Sequence, residues 1–155
     1  MAINIYEIAG LVREYGVVVA PWREADAVID QVSWIGGTVT LVIGAADPSD
    51  PAPDLRHDVV IHVARFRDIT SPEAPGAPTR AAVTDLVEWG ATAEGIVLVC
   101  CNGAYGRSPA LAAGIIARRH QLSMTEALAV VRRIRPVCRP NPLILSHLDG
   151  EGRPA

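Results

Sequence analysis

The stretch from Gly95 to Ile116 limits the possible folds more than any other part of the chain. Ile96-Val97-Leu98-Val99-Cys100-Cys101 is an unbroken apolar run of strand length, the pattern of a strand covered on both faces. A short loop of small and polar residues, Asn102 to Gly106, leads into Arg107-Ser108-Pro109. An almost wholly apolar helix then runs through Ile116, with Pro109 well placed in its first turn. A strand and a helix that are both apolar all round must be buried, so this segment lies at the centre of a layered fold.

The flanking sequence supplies the layers. Residues 3–14 have a helical spacing through Ile5, Ile8, Leu11 and Val12, and Val17 to Ala20 form a short strand closed by Pro21. Residues 23–35 read as a helix with Ala27, Val28, Val32 and Ile35 inward; Gly36-Gly37 stop it, and Thr38 to Ile43 follow as a strand. A turn region rich in Pro and Asp (44–57), a strand from Val59 to Ala64 and a Pro-rich loop from Arg67 to Pro78 come next. Thr79 to Trp89 resume helical spacing through Ala82, Val83, Leu86 and Val87. Beyond the apolar helix, Ser123-Met124-Thr125-Glu126 fits a capping box, and Ala127, Leu128, Val131 and Ile134 give the next helix an inward face. Pro136 and Pro140 end it before a last short helix near 142–148. Alternating strands and helices predict an α/β three-layer sandwich, a central, mostly parallel sheet flanked by helices, as a single domain over 1–155. Such sheets bind ligands beyond the carboxyl ends of their strands, where the loop from Cys101 to Arg107 falls.

Composition narrows the chemistry. All fourteen basic residues are Arg and none is Lys, which excludes a Walker-type phosphate loop and Schiff-base catalysis. The net charge of −3 argues against general nucleic-acid binding but conceals a split. Residues 1–106 carry six Arg against fourteen carboxylates, whereas residues 107–139 carry seven Arg against Glu126 alone. The second segment is able to attract anions, although charge runs are more often solvated helix faces. Three cysteines, Cys100, Cys101 and Cys138, make no paired framework and suit a reducing compartment. With no run long enough to cross a bilayer and no leader pattern at the start, the expectation is a cytoplasmic protein that does not bind membranes. The four His show no ligand spacing, so neither a metal nor another cofactor is expected. Nothing in the sequence sets the oligomeric state; a monomer is compatible with it.

Cys101 and Arg107 are the candidates for chemistry. A loop that runs into a helix N-terminus points successive N–H groups into one concavity, and the helix dipole adds positive potential there, a match for a tetrahedral oxyanion. Gly103 and Gly106 let the backbone curl. Arg107 can offer two parallel donors to two phosphoryl oxygens, and its charge together with the helix N-terminus favours the thiolate of Cys101.

Cys101, five residues, Arg107 and Ser108, set between a central strand and a buried helix, resemble the signature of the protein tyrosine and dual-specificity phosphatases. The resemblance runs over roughly 38–148 and is densest at 96–141, where the Ser-x-x-Glu-Ala-Leu helix, Arg135-Pro136 and Pro140-Asn141 also match. It implies a phosphatase-like fold and phosphomonoester hydrolysis through a phosphocysteine. Cys101 would be the nucleophile, and Arg107, with Asn102, Gly103, Ala104, Tyr105 and Gly106, would hold the phosphoryl group. Ser108 would ease departure of the sulfur, and Asp68, in Phe66-Arg67-Asp68-Ile69, would be the general acid. Asn141 would buttress the loop. The substrate would be a phosphorylated protein or a small phosphomonoester. A leaving oxygen needs a proton in any case, and a carboxyl on a loop can deliver it and later activate water; Glu73 and Asp47 are weaker substitutes for Asp68.

Two positions depart from the family pattern: Cys100 stands where His is usual, and Ala104 where Gly is common. They motivate an alternative, a phosphate-binding module that recognises phosphorylated partners without turnover. An arsenate-reductase-like thiol enzyme is a further one. Cys100 and Cys138 read more simply as core residues, Tyr105 as a wall of the pocket, Asp47, Asp50 and Asp54 as turn residues, and Trp22, Trp34 and Trp89 as core or core-edge residues.

Overall fold

The structure is a computed structural model that describes residues 14–149, so the helix expected over 3–14 lies almost wholly outside the described residues. Four strands, β1 (Val17–Pro21), β2 (Val39–Ala46), β3 (Val60–Arg65) and β4 (Ile96–Cys101), pair in the order β1-β4-β2-β3, all parallel. The apolar run Ile96–Cys101 is an interior strand, with Val97 and Val99 feeding one core and Leu98 and Cys100 the other. This alternation is what a strand buried on both faces requires.

Helix α1 (Ala25–Trp34) covers one face of the sheet. Helices α2 (Arg80–Thr92), α3 (Arg107–His120), α4 (Met124–Ile134) and α5 (Pro142–Leu148) cover the other. Right-handed crossovers require this asymmetry. The chain steps across the sheet in one direction from β1 to β2 and in the opposite direction from β3 to β4, which puts α1 and α2 on opposite faces. The link between β2 and β3 has no helix; Leu55 and Val59 pack beside α1 in its place.

The inward face of α1 is Ala25, Val28, Ile29 and Val32, an i, i+3, i+4, i+7 stripe. Ala27 is exposed instead of inward. Trp34 falls on the opposite side and is 90% exposed, and Trp89 is 43% exposed, so neither is the core residue its type suggests. Trp22 is tied in by its indole N–H, which donates to the Ala45 carbonyl at 2.8 Å, and the Trp89 ring stacks on His62 with centroids 4.1 Å apart. The capping box at Ser123 and Glu126 is present in both directions, a contribution of about 1 kcal/mol to α4. Helix α3 is buried from Arg107 to Ala117. Its last turn carries Arg119, which donates to the carbonyls of Gly16, Gly90, Ala93 and Gly95 and so closes the far end of the sheet and of α2. No helix among the described residues is long and apolar enough to cross a membrane.

Candidate active site

The carboxyl ends of the four strands converge on one spot. Cys101 ends β4, Asp47 follows β2, Phe66 to Asp68 follow β3, and the loop Asn102–Gly106 carries the chain into α3. The Cys101 sulfur is buried and receives the backbone N–H of Ser108 at 3.3 Å, with the Ser108 hydroxyl oxygen 3.2 Å away. The N-cap residue Gly106 has no side chain to cap α3, the Ser108 N–H is held by the Cys101 sulfur and Pro109 has none, which leaves the Arg107 N–H and the helix dipole for an acceptor in the concavity.

The loop's peptide orientations are held from outside. The Asn102 carbonyl accepts from Arg23 Nη1 at 3.1 Å, and that of Ala104 from Arg135 Nε at 2.9 Å. The Tyr105 and Gly106 carbonyls accept from the backbone N–H groups of Arg139 (2.7 Å) and Asn141 (3.0 Å). A trans peptide points its C=O and the next N–H in opposite directions. Turning these four carbonyls outward therefore turns the N–H groups of Gly103, Tyr105, Gly106 and Arg107 into the cradle. Ala104 adopts the left-handed conformation, φ 58°, which for a residue with a Cβ costs about 1 to 2 kcal/mol. The methyl group is fully buried and tolerated, with the Arg135 bond holding the peptide in place.

Arg107 is directed by two acceptors on one nitrogen. Its Nη1 donates to Asp47 Oδ1 at 2.6 Å and to the Phe66 carbonyl at 2.7 Å, and the side chain is 6% exposed. Nε is buried with no partner, and Nη2 has none among the described residues. An orphaned buried donor is costly unless something fills the gap, at about 1 to 3 kcal/mol. The side of the guanidinium that forms a two-pronged donor is thus left for an external anion.

Asp68 sits over the loop. A Cβ at Gly106 would overlap its carboxyl group, so glycine here is the condition for that approach. Oδ1 accepts from Asn141 Nδ2 at 2.7 Å. Asn141 has no freedom to flip, because its own oxygen caps α5 by accepting from Leu143 and Ile144 while its amide also reaches the Ile69 carbonyl. The acidic loop itself is closed at its base by the Arg67 N–H on the Gly76 carbonyl, 2.7 Å.

The structure therefore brings together Cys101, Arg107, Ser108, Asp68 and the loop from Asn102 to Gly106. Two residues read as turn formers prove to be brackets. Asp47 orients Arg107, and Asp50 accepts from Asn102 Nδ2 at 3.0 Å, while Arg65 Nη1 donates to the carbonyls of both. Arg135, given no role by the sequence beyond the Arg135-Pro136 match and the basic run, is fully buried beneath the loop with its guanidinium 5.4 Å from the Tyr105 ring centroid. Tyr105 stands at the rim, 38% exposed. Cys100, next to the nucleophile candidate, belongs to the apolar cluster under α1; burial, and then the neighbouring Cys101, push its thiol well up. Cys138 is also in the core, and burial raises it despite nearby Arg132 and Arg135. A groove of about 530 Å³ borders the cradle on the Asp68 side, and another of about 420 Å³ on the side of Asp47 and Arg67.

No family model matches the chain. Mouse dual specificity protein phosphatase 19 is 31% identical over 64 residues, which are 41% of this chain and 29% of that protein, so the match spans less than a third of that relative. Human DUSP28 superposes with a TM-score of 0.65 at 24% identity, over 86% of this chain and 85% of its own. A single-residue variant of human DUSP28 gives a TM-score of 0.66 at 26% identity, over 86% of this chain and 87% of its own. The chain has the α/β fold of the dual-specificity phosphatases, and its resemblance to the wider tyrosine and dual-specificity superfamily extends from the signature to the fold.

Proposed function

We propose that this chain is a cysteine-dependent phosphomonoester hydrolase of the tyrosine and dual-specificity type, acting through a phosphocysteine on Cys101. The observation that carries the proposal is the orphaned Nε of Arg107, aligned by Asp47 beside an uncapped helix N-terminus and a buried sulfur. Backbone N–H groups and the guanidinium hold the equatorial oxygens in the transition state, where charge accumulates on them. The Cys101 sulfur forms a bond to phosphorus as the bond to the leaving oxygen breaks, and Asp68 transfers its proton to that oxygen. Asn141 occupies Oδ1, so Oδ2 is the oxygen that carries the proton. In the second step Asp68 takes a proton from water as the water oxygen attacks phosphorus. The S–P bond breaks, the Ser108 hydroxyl and N–H stabilise the departing thiolate, and phosphate leaves.

The uncharged loop from Asn102 to Gly106 imposes no demand for a polyanionic headgroup, so phosphotyrosine, phosphoserine and phosphothreonine side chains and small phosphomonoesters all suit the cradle. The binding-module alternative keeps one observation in its favour: the Cys100 side chain is turned into the apolar core and contributes nothing polar to the loop. An arsenate-reductase-like cycle needs a second thiol that joins Cys101 in a disulfide; all three thiols are free in this structure, with Cys100 in the apolar cluster under α1 and Cys138 in the core on the other face of the sheet. The deciding experiment is hydrolysis of p-nitrophenyl phosphate by reduced, chelator-treated protein. Turnover that disappears in Cys101→Ser supports the hydrolase, and a fully active Cys101→Ser protein would end it. Phosphate binding by a folded protein without turnover would favour the binding module.

A further inference from the structure

The link between β2 and β3 is fastened at both ends. At its start Asp47 orients Arg107, Asp50 accepts from Asn102, and Arg65 holds the carbonyls of both. At its far end Arg56 and His57 meet α1, on which Asp26 and Asp30 stand at i, i+4 and so share one side of the helix. The backbone N–H groups of Arg56 and His57 donate to Asp26 at 3.0 and 3.3 Å, and the Arg56 guanidinium pairs with Asp30. The His57 ring lies between the two carboxylates: Nδ1 is 2.6 Å from Asp26 Oδ1, and Nε2 is 2.9 Å from Asp30 Oδ1.

A carboxylate oxygen only accepts, so both contacts are hydrogen bonds only when both ring nitrogens carry protons. The neutral ring keeps one N–H and turns a lone pair toward the other carboxylate. Asp26 is held below the usual carboxylate range: burial opposes this, and the bonds from Arg56 and His57 outweigh it. Asp30 is held low by Arg56 first, against desolvation, and then by His57. Both are therefore ionised across the range of about pH 5 to 8 in which histidine side chains ordinarily change charge. The other charged groups facing the ring belong to its own link. They are Arg56, which keeps its charge throughout, and Asp58, which shares with His57 and Asp30 a cavity of about 240 Å³; β2 brings only Thr38 and Val39 to that cavity and the start of β3 only Val59.

What happens at this clasp reaches the cradle because the chain between them is stiff. Pro51 and Pro53 lie between Asp50 and Arg56, and each fixes its own φ and restricts the residue before it to extended conformations. Leu55 packs on the apolar cluster under α1, so the link has little slack on either side of the prolines. We infer that His57 is a positioning residue for the cradle: as the imidazolium it clamps the link onto α1 and so holds Asp47 and Asp50, and through them Arg107 and Asn102, in the arrangement that binds an oxyanion. The inference rests on the reading of the cradle as a phosphate site. The cradle is set most firmly while His57 is charged and slackens as pH rises through the histidine range, a dependence separate from those of Cys101 and Asp68.

The test measures sulfate binding, because sulfate keeps its double charge across this range, and uses the Cys101→Ser protein, which has no thiolate to titrate in the cradle. From about pH 5 to pH 8 the affinity should fall about 5-fold or more, the size of an ordinary coupling between two sites. Protection of the amides of residues 55–58 against hydrogen exchange, corrected for the intrinsic rate, should fall with it. His57→Gln in the same background should bind weakly at both ends of the range, with most of the difference gone. Asp30→Asn carries the test even where His57→Gln does not fold: an amide there can donate to the neutral ring, so sulfate should bind at the upper pH about as tightly as at the lower. A pH dependence like that of the parent in folded His57→Gln or Asp30→Asn would overturn the inference while leaving the cradle intact, and so would loss of protection at 55–58 with sulfate affinity unchanged. No sulfate binding by the folded protein at any pH would remove the cradle reading and this inference together.

Discussion

The cradle is built from two regions that differ in how they reach the site. Residues 101–108 are contiguous and carry their geometry with them: the strand end sets the sulfur, the loop curls, and the helix start returns an N–H to that sulfur at 3.3 Å. The bracket around them, Asp47, Asp68, Arg135 and Asn141, comes from other parts of the chain and is tied in by bonds such as Asp47 to Arg107, Arg135 to the Ala104 carbonyl and Asn141 to Asp68 and the Gly106 carbonyl. On the proposed mechanism the inner region holds the nucleophile and the phosphate donors, the bracket supplies the general acid Asp68, and Asp47, Arg135 and Asn141 hold these groups in place. Damage to the first should remove the reaction, whereas damage to the second should spread between rate and stability.

The largest effect after loss of the nucleophile should come from Arg107→Lys. A point charge keeps the field but loses the paired donors, and kcat on p-nitrophenyl phosphate should fall about 10²- to 10³-fold, with the melting temperature nearly unchanged. A mild effect would show that the loop N–H groups suffice. Next is Arg135→Met, which fills the space but leaves the Ala104 carbonyl without its donor. An unfolding free energy lower by about 1 to 3 kcal/mol, together with a reduced kcat, should be seen by denaturant titration and steady-state kinetics. Loss of stability alone would separate the bracket from the chemistry.

Asn141→Asp sharpens the distinction further. The new carboxylate still caps α5, so stability should change little, but it donates nothing to Asp68 and places a like charge beside it. Here kcat should fall while the melting temperature holds, whereas Asn141→Ala should lower both, because it removes the cap and the donor together. The smallest effect should be that of Cys100→Ala. Burial raises the Cys100 thiol, so the unfolded chain releases that proton first as the medium becomes alkaline. The corresponding stability is full below about pH 8.5 and is lost as pH rises beyond it. Cys100→Ala should flatten part of the fall in melting temperature between neutral and alkaline pH while kcat at neutral pH stays close to that of the parent protein.

The inner region was legible in the sequence because local pattern specifies it: an apolar run, small residues, an arginine and a proline in the first turn of a helix. The bracket was legible only in part. Asp68 and Asn141 were visible through a family resemblance. The bracketing roles of Asp47 and Asp50 were not, because Asp beside Pro is the ordinary signature of a turn, and the hydrogen bonds to Arg107 and Asn102 span 60 and 52 positions of sequence. Arg135 was matched to the family in Arg135-Pro136 and counted in the basic run, but nothing local showed that it is buried under the loop while its neighbours Arg132 and Arg133 are exposed. The face of α1 was displaced for a simpler reason: Ala25 starts the buried stripe, which moves Ala27 outward and Ile29 inward.

The most direct test of the account is to look for the covalent intermediate. Chelator-treated protein would be mixed with p-nitrophenyl phosphate, quenched within a single turnover and digested, and the peptide containing Cys101 weighed, with Asp68→Asn run in parallel to slow the second step. The account predicts a phosphoryl mass on Cys101, greater in Asp68→Asn and absent after Cys101→Ser. Turnover with phosphate on no cysteine, or with phosphate on Cys100 or Cys138, would contradict it.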